Sequence, residues 1–321
     1  MKQKISKFLS IVLPIALGIY LIYYTYYSFT PEQLVEIRSY FRDANYSYIV
    51  LGGFVAVLGN ISRAWRWKYP LEQMGYKTSF LNNFLAINVC YLLNLAIPKS
   101  GEVSRALILK KYEEVPFDKG FGSIVAERLL DVIILFSFMV LAFFIQFDIV
   151  KAFVLDQIPI NKLLLYGGIA FGFCMVALWF YLYSSSKFIL MLKDKISGLK
   201  EGVFSLMKMQ KKWQFIGHTV FIWLSYLATF YVTMYVFPQT AVLSFGAAIS
   251  AFVVGSIAIA FTNSGFGSYP FLISQILFFY SISKPIGTAF GWIVWSSQMV
   301  VVLIFGFASF LLLPALNRRK S

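Results

Sequence analysis

The sequence predicts an all-α polytopic membrane protein, and three observations carry that prediction. Of its 321 residues, 59% are hydrophobic and only 13% are charged, about half the charged share of a soluble domain. No Asp, Glu, Lys or Arg occurs from 213 to 283 or from 285 to 317, whereas a spanning helix needs only about 20 apolar residues. Lys and Arg cluster between the apolar runs, the pattern that orients helices in a bilayer. A formal charge of +14 would suggest nucleic acid on a soluble domain. Here the topology accounts for it, so no nucleic-acid partner is expected. Soluble enzymes and secreted disulfide scaffolds are excluded as well. Cys90 and Cys174 lie in apolar segments and read as small core residues. With His218 as the sole histidine, no metal site is expected, and no cofactor.

Lys2, Lys4 and Lys7 precede an uncharged run from Phe8 to Pro31. The run is too long for a signal peptide and has no cleavage signature, so it reads as a retained first span. Tyr23, Tyr24, Tyr26 and Tyr27 form its aromatic interface belt. Further full spans are predicted at about 46–63, 124–147, 162–183, 213–236 and 286–313, six in all. Two stretches do not fit that pattern. The first, about 80–110, is an apolar run broken by Pro98-Lys99-Ser100-Gly101. As a single crossing it would put the lysines of 187–212 outside the cell; as a re-entrant hairpin it keeps them inside, which the positive-inside rule prefers. The second, about 242–282, breaks at Asn263–Pro270 and must also cross an even number of times. It could be re-entrant or two full spans.

The order of signals therefore echoes itself: a span, a broken hairpin and a span, entered once from each side. Opposed repeats with broken helices are a transporter signature, the substrate site lying where the breaks meet. The chain is expected to be one integral membrane domain, with repeat halves at about 44–147 and 213–313. A span and a basic amphipathic cytoplasmic segment, 184–212, join them. That segment carries seven lysines and is expected to lie on an anionic leaflet; a partner-protein role is the alternative.

Particular motifs now point to a family. Arg63-Ala-Trp65-Arg66-Trp67 closes the second span. Asn94 to Pro98, followed by Gly101-Glu102-Val103-Ser104-Arg105, forms an N-x-x-x-P-x-x-G-E-x-x-R block. Glu127-Arg128-x-x-Asp131 opens the next span, and Gly265-Phe266-Gly267 sits in the last third. In this order they resemble the membrane, flippase-like region of lysylphosphatidylglycerol synthetases and its stand-alone relatives, over nearly the whole chain. The resemblance implies lipid translocation in a bacterial cytoplasmic membrane. The synthetases' soluble aminoacyl-transferase domain is missing from this sequence, so synthase activity is not implied. Pro270 stands where the family's second glycine block is followed by an acidic residue.

Candidate site residues follow from the breaks. At the first, Ser100 is a candidate N-cap, and a half-helix starting there would aim free N–H groups at an anionic headgroup. Asn94, Lys99, Gly101, Glu102 and Arg105 are the headgroup-binding candidates; the plainer reading pairs Glu102 with Arg105 on an amphipathic helix. At the second break, Asn263, Ser264, Gly265, Gly267 and Ser268 line a hinge or substrate passage, or else an ordinary loop. Ser268 could cap the second half-helix. Glu127, Arg128 and Asp131 form either a buried ion-pair cluster, with Arg105 a possible partner, or a cation or proton coupling site. Arg63, Arg66, Trp65 and Trp67 read as interface anchors, with phosphate contact by Arg63 and Arg66 the alternative.

The leading expectation is a translocator that moves a polar, phosphate-bearing lipid between leaflets, both chain ends being cytoplasmic. It is not expected to be an enzyme. The alternatives are a membrane transferase, or a scaffold for a separately encoded synthase. No G-x-x-x-x-G-K-[ST] block offers an ATP site, so any driving force would come from a gradient or from substrate imbalance.

Overall fold

A computed structural model of the chain describes residues 2–147, 209–262 and 264–317, with scattered positions between 172 and 193. All regular structure among them is helical: α1 (Lys2–Tyr27), α2 (Pro31–Asp43), α3 (Tyr46–Gln73), α4 (Phe80–Ala96), α5 (Ser100–Tyr112), α6 (Phe117–Ile145), α7 (Lys212–Thr233), α8 (Pro238–Ala241), α9 (Phe245–Phe261), α10 (Ser268–Phe279) and α11 (Lys284–Leu316). The protein is an all-α polytopic membrane protein. Among the described residues, α3, α6, α7 with its 3₁₀ extension to Val236, and α11 are long and apolar enough to cross a membrane. A fifth span is formed if α1 and α2 count as one element, bent by 113°. That is close to six, because the predicted span at 162–183 lies mostly outside the described residues. So does most of the basic segment 184–212.

The bend follows from local chemistry. Thr30 and Gln33 form a reciprocal capping box, and Pro31 starts α2 at its first turn, so a new helix begins where the Tyr belt ends. Tyr23, Tyr24, Tyr26 and Tyr27 are all exposed, as an aromatic belt requires.

Two compact units partition the chain, residues 1–125 with 209–321, and residues 126–208. In the first, α3 and α7 are antiparallel. A Cβ on Gly52 would sit 3.1 Å from Thr233, and one on Gly59 would sit 3.2 Å from Ser225, so small residues let the backbones approach. Further along, Ser62 Oγ lies 2.8 Å from His218 Nδ1. At the end, Lys211 Nζ donates to Glu72 Oε2 at 2.8 Å. That hydrogen bond raises the Lys211 pKa above its ordinary value.

Both awkward stretches are hairpins. In the first, α4 and α5 have 17 and 13 residues, about 26 and 20 Å at 1.5 Å per residue, too short for a hydrocarbon core of about 30 Å. Their open ends meet: the Ser79 N–H donates to Glu113 Oε2 at 3.1 Å, and the Asn82 amide donates to the other Glu113 oxygen. The chain leaves on the face it entered. In the second, α9 and α10 have 17 and 12 residues, and Tyr280 Oη donates to Ser250 Oγ at 3.1 Å. The open choice at 242–282 is thus decided for a re-entrant hairpin.

α11, with 33 residues, is the post on which both hairpins hang. The Asn82 and Asn317 amides bond reciprocally at 3.0 and 2.9 Å, and a Cβ on Gly306 would meet Leu92 Cβ at 2.7 Å. The first hairpin therefore runs antiparallel to the carboxyl half of α11. The second occupies the amino half: Cβ atoms on Gly287 and Gly291 would meet Ser274 Cα at 3.0 Å and Pro270 Cα at 2.7 Å. Trp295 Nε1 donates to the Ser264 carbonyl in the break at 2.9 Å. Continuing the first register puts Ile97 near residue 301 of α11, so the breaks lie about 9 Å apart along its axis.

Candidate functional site

The two breaks share a backbone device. Each second half-helix is preceded by a residue with positive φ, Lys99 at 64° and Gly267 at 70°, and neither cap residue makes a side-chain capping bond. Ser100 and Ser268 are therefore not the caps the sequence suggested. Each is the first helical residue, and its hydroxyl turns back across the break. Ser100 Oγ donates to the Leu93 and Ile97 carbonyls at 3.1 and 2.8 Å; Ser268 Oγ shares a 2.7 Å hydrogen bond with Thr262 Oγ1.

At the first break, Asn94 takes over the capping. Its Oδ1 accepts from the Gly101 N–H at 2.8 Å, and its Nδ2 donates to Glu102 Oε2 at 3.2 Å. The half-helix is thus not the open anion cup expected from the sequence, because one of its first N–H groups is already held. Gly101 is needed for closeness: a Cβ there would sit 2.1 Å from the Cys90 carbonyl oxygen. Arg105, one turn on, is 1% exposed. Its guanidinium carbon lies 3.5 Å from the centroid of the Trp67 ring, and Trp67 Nε1 donates to Ser123 Oγ at 3.0 Å. A buried cation over an indole is stabilised by about 2 kcal/mol and held flat, which fixes where its donors point. Lys99 is exposed. Asn94, Gly101, Glu102 and Arg105 thus come together around the start of α5, with Lys99 at the tip.

The second break carries no charged side chain and is close-packed. A Cβ on Gly267 would sit 2.2 Å from the Gly18 carbonyl oxygen, and one on Gly18 would sit 2.4 Å from the Phe266 carbonyl oxygen. Backbone lies on backbone here, with Phe266 against Trp295 at 5.8 Å between ring centroids. Ser264, Gly265, Gly267 and Ser268 are gathered at this crossing of α1, α10 and α11. Asn263 lies outside the described residues.

Arg63, Arg66 and Trp67 depart from the interface-anchor expectation. Arg63 is 2% and Arg66 0% exposed, and both face α7. Arg63 lies over Tyr226 at 5.9 Å and Arg66 over Phe215 at 5.6 Å, with Arg66 Nη1 donating to Thr219 Oγ1 at 3.3 Å. The helix period explains it: residues 63, 66 and 67 share one face of α3 and 65 points away. Trp65 alone of the four is exposed.

In the second unit, Glu127 is buried, and Arg128 Nη1 pairs with Asp131 Oδ2 at 3.5 Å across one turn. Two cavities are formed by described residues of the first unit. One, of about 480 Å³, is a shallow apolar groove between α3 and α7 that includes Ser62 and His218. The other, of about 210 Å³, lies at the amino end of α11 around Lys284. Neither includes a residue of either break.

Sequence reasoning missed four features: the Asn82–Glu113–Asn317 bonds, the role of Gly18, Trp67 as the seat of Arg105, and the Lys284 cavity. Polar Asn82 inside an apolar run was the available signal, since an amide in the membrane needs a partner. Gly18 offered no signal until its neighbour was known.

Residues 11–315 match a family model described as the lysylphosphatidylglycerol synthase TM region. Over 108 residues the chain is 31% identical to a UPF0104 membrane protein of Methanocaldococcus jannaschii, covering 32% of each chain. Over 101 residues it is 29% identical to the glycosyltransferase AglD of Haloferax volcanii, covering 30% of this chain and 16% of that one. The matches thus span about a third and a sixth of those relatives' lengths. No solved structure matches the chain. With the family match running over both hairpins and all the candidate spans, the chain belongs to the lysylphosphatidylglycerol synthase TM region family.

Proposed function

We propose that the protein is a lipid translocator, carrying a polar, phosphate-bearing headgroup between the leaflets of the cytoplasmic membrane while the acyl chains stay in lipid. One observation carries this reading: two hairpins enter from opposite ends of α11 and break within about 9 Å of the same level along it. Irregular backbone at that depth is tolerated where protein buries it or where it lines a path. In this reading Asn94, Glu102 and Arg105 handle the headgroup, and Gly265 and Gly267 let the second hairpin flex. Glu127, Arg128 and Asp131 couple the movement to an ion, and the protein transports without catalysing. The two halves act as opposed repeats. The face holding Asn317 is cytoplasmic, since Lys68, Lys77, Lys110, Lys111 and Lys211 cluster there against Arg38, Arg42 and Lys284 on the other.

The test is lipid flipping in proteoliposomes of the purified protein, with headgroup-labelled phospholipids and a membrane-impermeant quencher. The proposal predicts quenching beyond the outer-leaflet half, absent from empty vesicles. Quenching that stops at half for every headgroup, with an ion gradient applied, removes it. A second reading is an accessory role beside a transferase, favoured by the similarity to a protein named glycosyltransferase. It predicts no flipping and a transferase that co-purifies.

A further inference from the structure

The cavity at the amino end of α11 is lined by one cation and no carboxylate. It is lined by Thr25 and Ser28 of the α1 end, Ser274 and Gln275 of α10, and Lys284 and Thr288 of α11. Lys284 is the sole charged residue between Trp213 and Asn317, and α1 from Phe8 to the end of its belt has none. Its ammonium lies 5.0 Å from the centroid of the Phe278 ring and makes no ion pair with any described residue. Glu32, the first acidic residue after α1, is exposed and does not pair with it. A cation at a membrane face without a carboxylate is a seat for a counter-ion from outside the chain.

The hydroxyls add a second constraint. Thr25 Oγ1 donates to the Leu21 carbonyl at 2.6 Å and Ser28 Oγ to the Thr25 carbonyl at 2.8 Å. Thr288 Oγ1 donates to Ser274 Oγ at 3.0 Å, which in turn donates to the Lys284 carbonyl at 3.2 Å. Each of these hydroxyls has spent its one hydrogen on the protein and keeps lone pairs to accept with. The side-chain donors left in its lining are the Lys284 ammonium, the Gln275 amide and the Tyr24 hydroxyl.

We infer that this cavity binds the phosphodiester of a lipid headgroup at Lys284 and Gln275, and that the hydroxyls select headgroups with hydrogen-bond donors. A glycerol or primary-amine headgroup fits; a quaternary ammonium does not. The site lies on the face opposite the mouth of the first hairpin, beside the Tyr belt at lipid-headgroup depth. It rests on the translocator reading for its purpose, as the far-side station of the path, but its binding is independent of transport.

Native mass spectrometry of the purified full chain, titrated with short-chain phosphatidylglycerol, tests it. Lys284→Gln should weaken binding about tenfold, since a charge-assisted hydrogen bond is lost, and Lys284→Arg should restore it. Lys284 is exposed, so neither change threatens folding. Equal affinity in wild type and Lys284→Gln overturns the site. Phosphatidylcholine binding as tightly as phosphatidylglycerol overturns the headgroup selection. Competition by free glycerol 3-phosphate at the lipid's own concentration overturns the lipid assignment in favour of a soluble phosphate ester. Lys284-dependent binding without any flipping leaves the site standing and removes the translocator reading instead.

Discussion

The two hairpins have nearly the same helix lengths and opposite chemistry. The first is broken by Pro98 and Lys99 and knit by side chains: Asn94 bridges Gly101 and Glu102, and Arg105 lies on Trp67. The second is broken by glycines and packed backbone on backbone, Gly267 lying on Gly18, with two hydrogen bonds beside that contact, Ser268 to Thr262 and Trp295 to Ser264. A hydrogen-bonded break with a buried cation can discriminate a headgroup. A break packed through glycines, with few side chains across it, has fewer contacts to remake when it shifts. In the proposed reading, recognition falls to the first hairpin and movement to the second.

The largest expected effect removes the first hairpin's closest contact. Gly101→Val should prevent the hairpin from closing on Cys90, costing about 3 kcal/mol or more, and thermal unfolding in detergent reads it as a large loss of midpoint. Gly267→Ala should cost nearly as much, having both a clash and a φ of 70°. Gly75→Ala is the control. It has a φ of 90° but nothing within 4 Å of its Cβ, so only the strain of about 1 kcal/mol should appear.

Next, Arg105→Ala should lower the initial flipping rate at least tenfold, with Arg105→Lys intermediate because the charge survives and the flat stack does not. An equal loss in both rate and melting midpoint for Arg105→Ala would make the residue structural and erase the contrast. Asp131→Asn should also slow flipping strongly if the second unit couples an ion. Asn94→Ala loses a cap, about 1 kcal/mol, and should cut the rate several-fold through the disordered start of α5. Asn317→Ala removes the amide pair that latches the first hairpin to α11, and should cost about 1 kcal/mol in stability. Lys195→Ala should change neither.

How much of this was legible follows the same divide. The first break was readable, because Pro-Lys-Ser-Gly inside an apolar run has no cheap alternative, and the candidates gathered around it do lie together. The caps were not: Ser100 and Ser268 have the right residue type one position too late, and the positive-φ residues before them, Lys99 and Gly267, took that place. Arg63 and Arg66 looked like anchors because basic residues beside tryptophans commonly are. Their burial depends on α7 lying against that face, and no local pattern encodes it. Whether 242–282 re-enters was undecidable by parity, and the 12 residues of α10, about 18 Å, are too few for a full crossing. The Lys284 cavity needed three separate elements to be brought together. Local punctuation was written in the sequence; partners distant along the chain were not.

The account stands or falls on the hairpins opening toward opposite faces. In a chain with Cys90 and Cys174 replaced by Ala, single cysteines at Glu114 and Ser281, both exposed at hairpin mouths, would be treated with a membrane-impermeant thiol reagent. Sealed vesicles of known orientation allow labelling from each side. The prediction is labelling of Glu114→Cys from the cytoplasmic side alone and of Ser281→Cys from the opposite side alone. Labelling of both from one side would contradict opposed hairpins and, with them, a path across the membrane between their breaks.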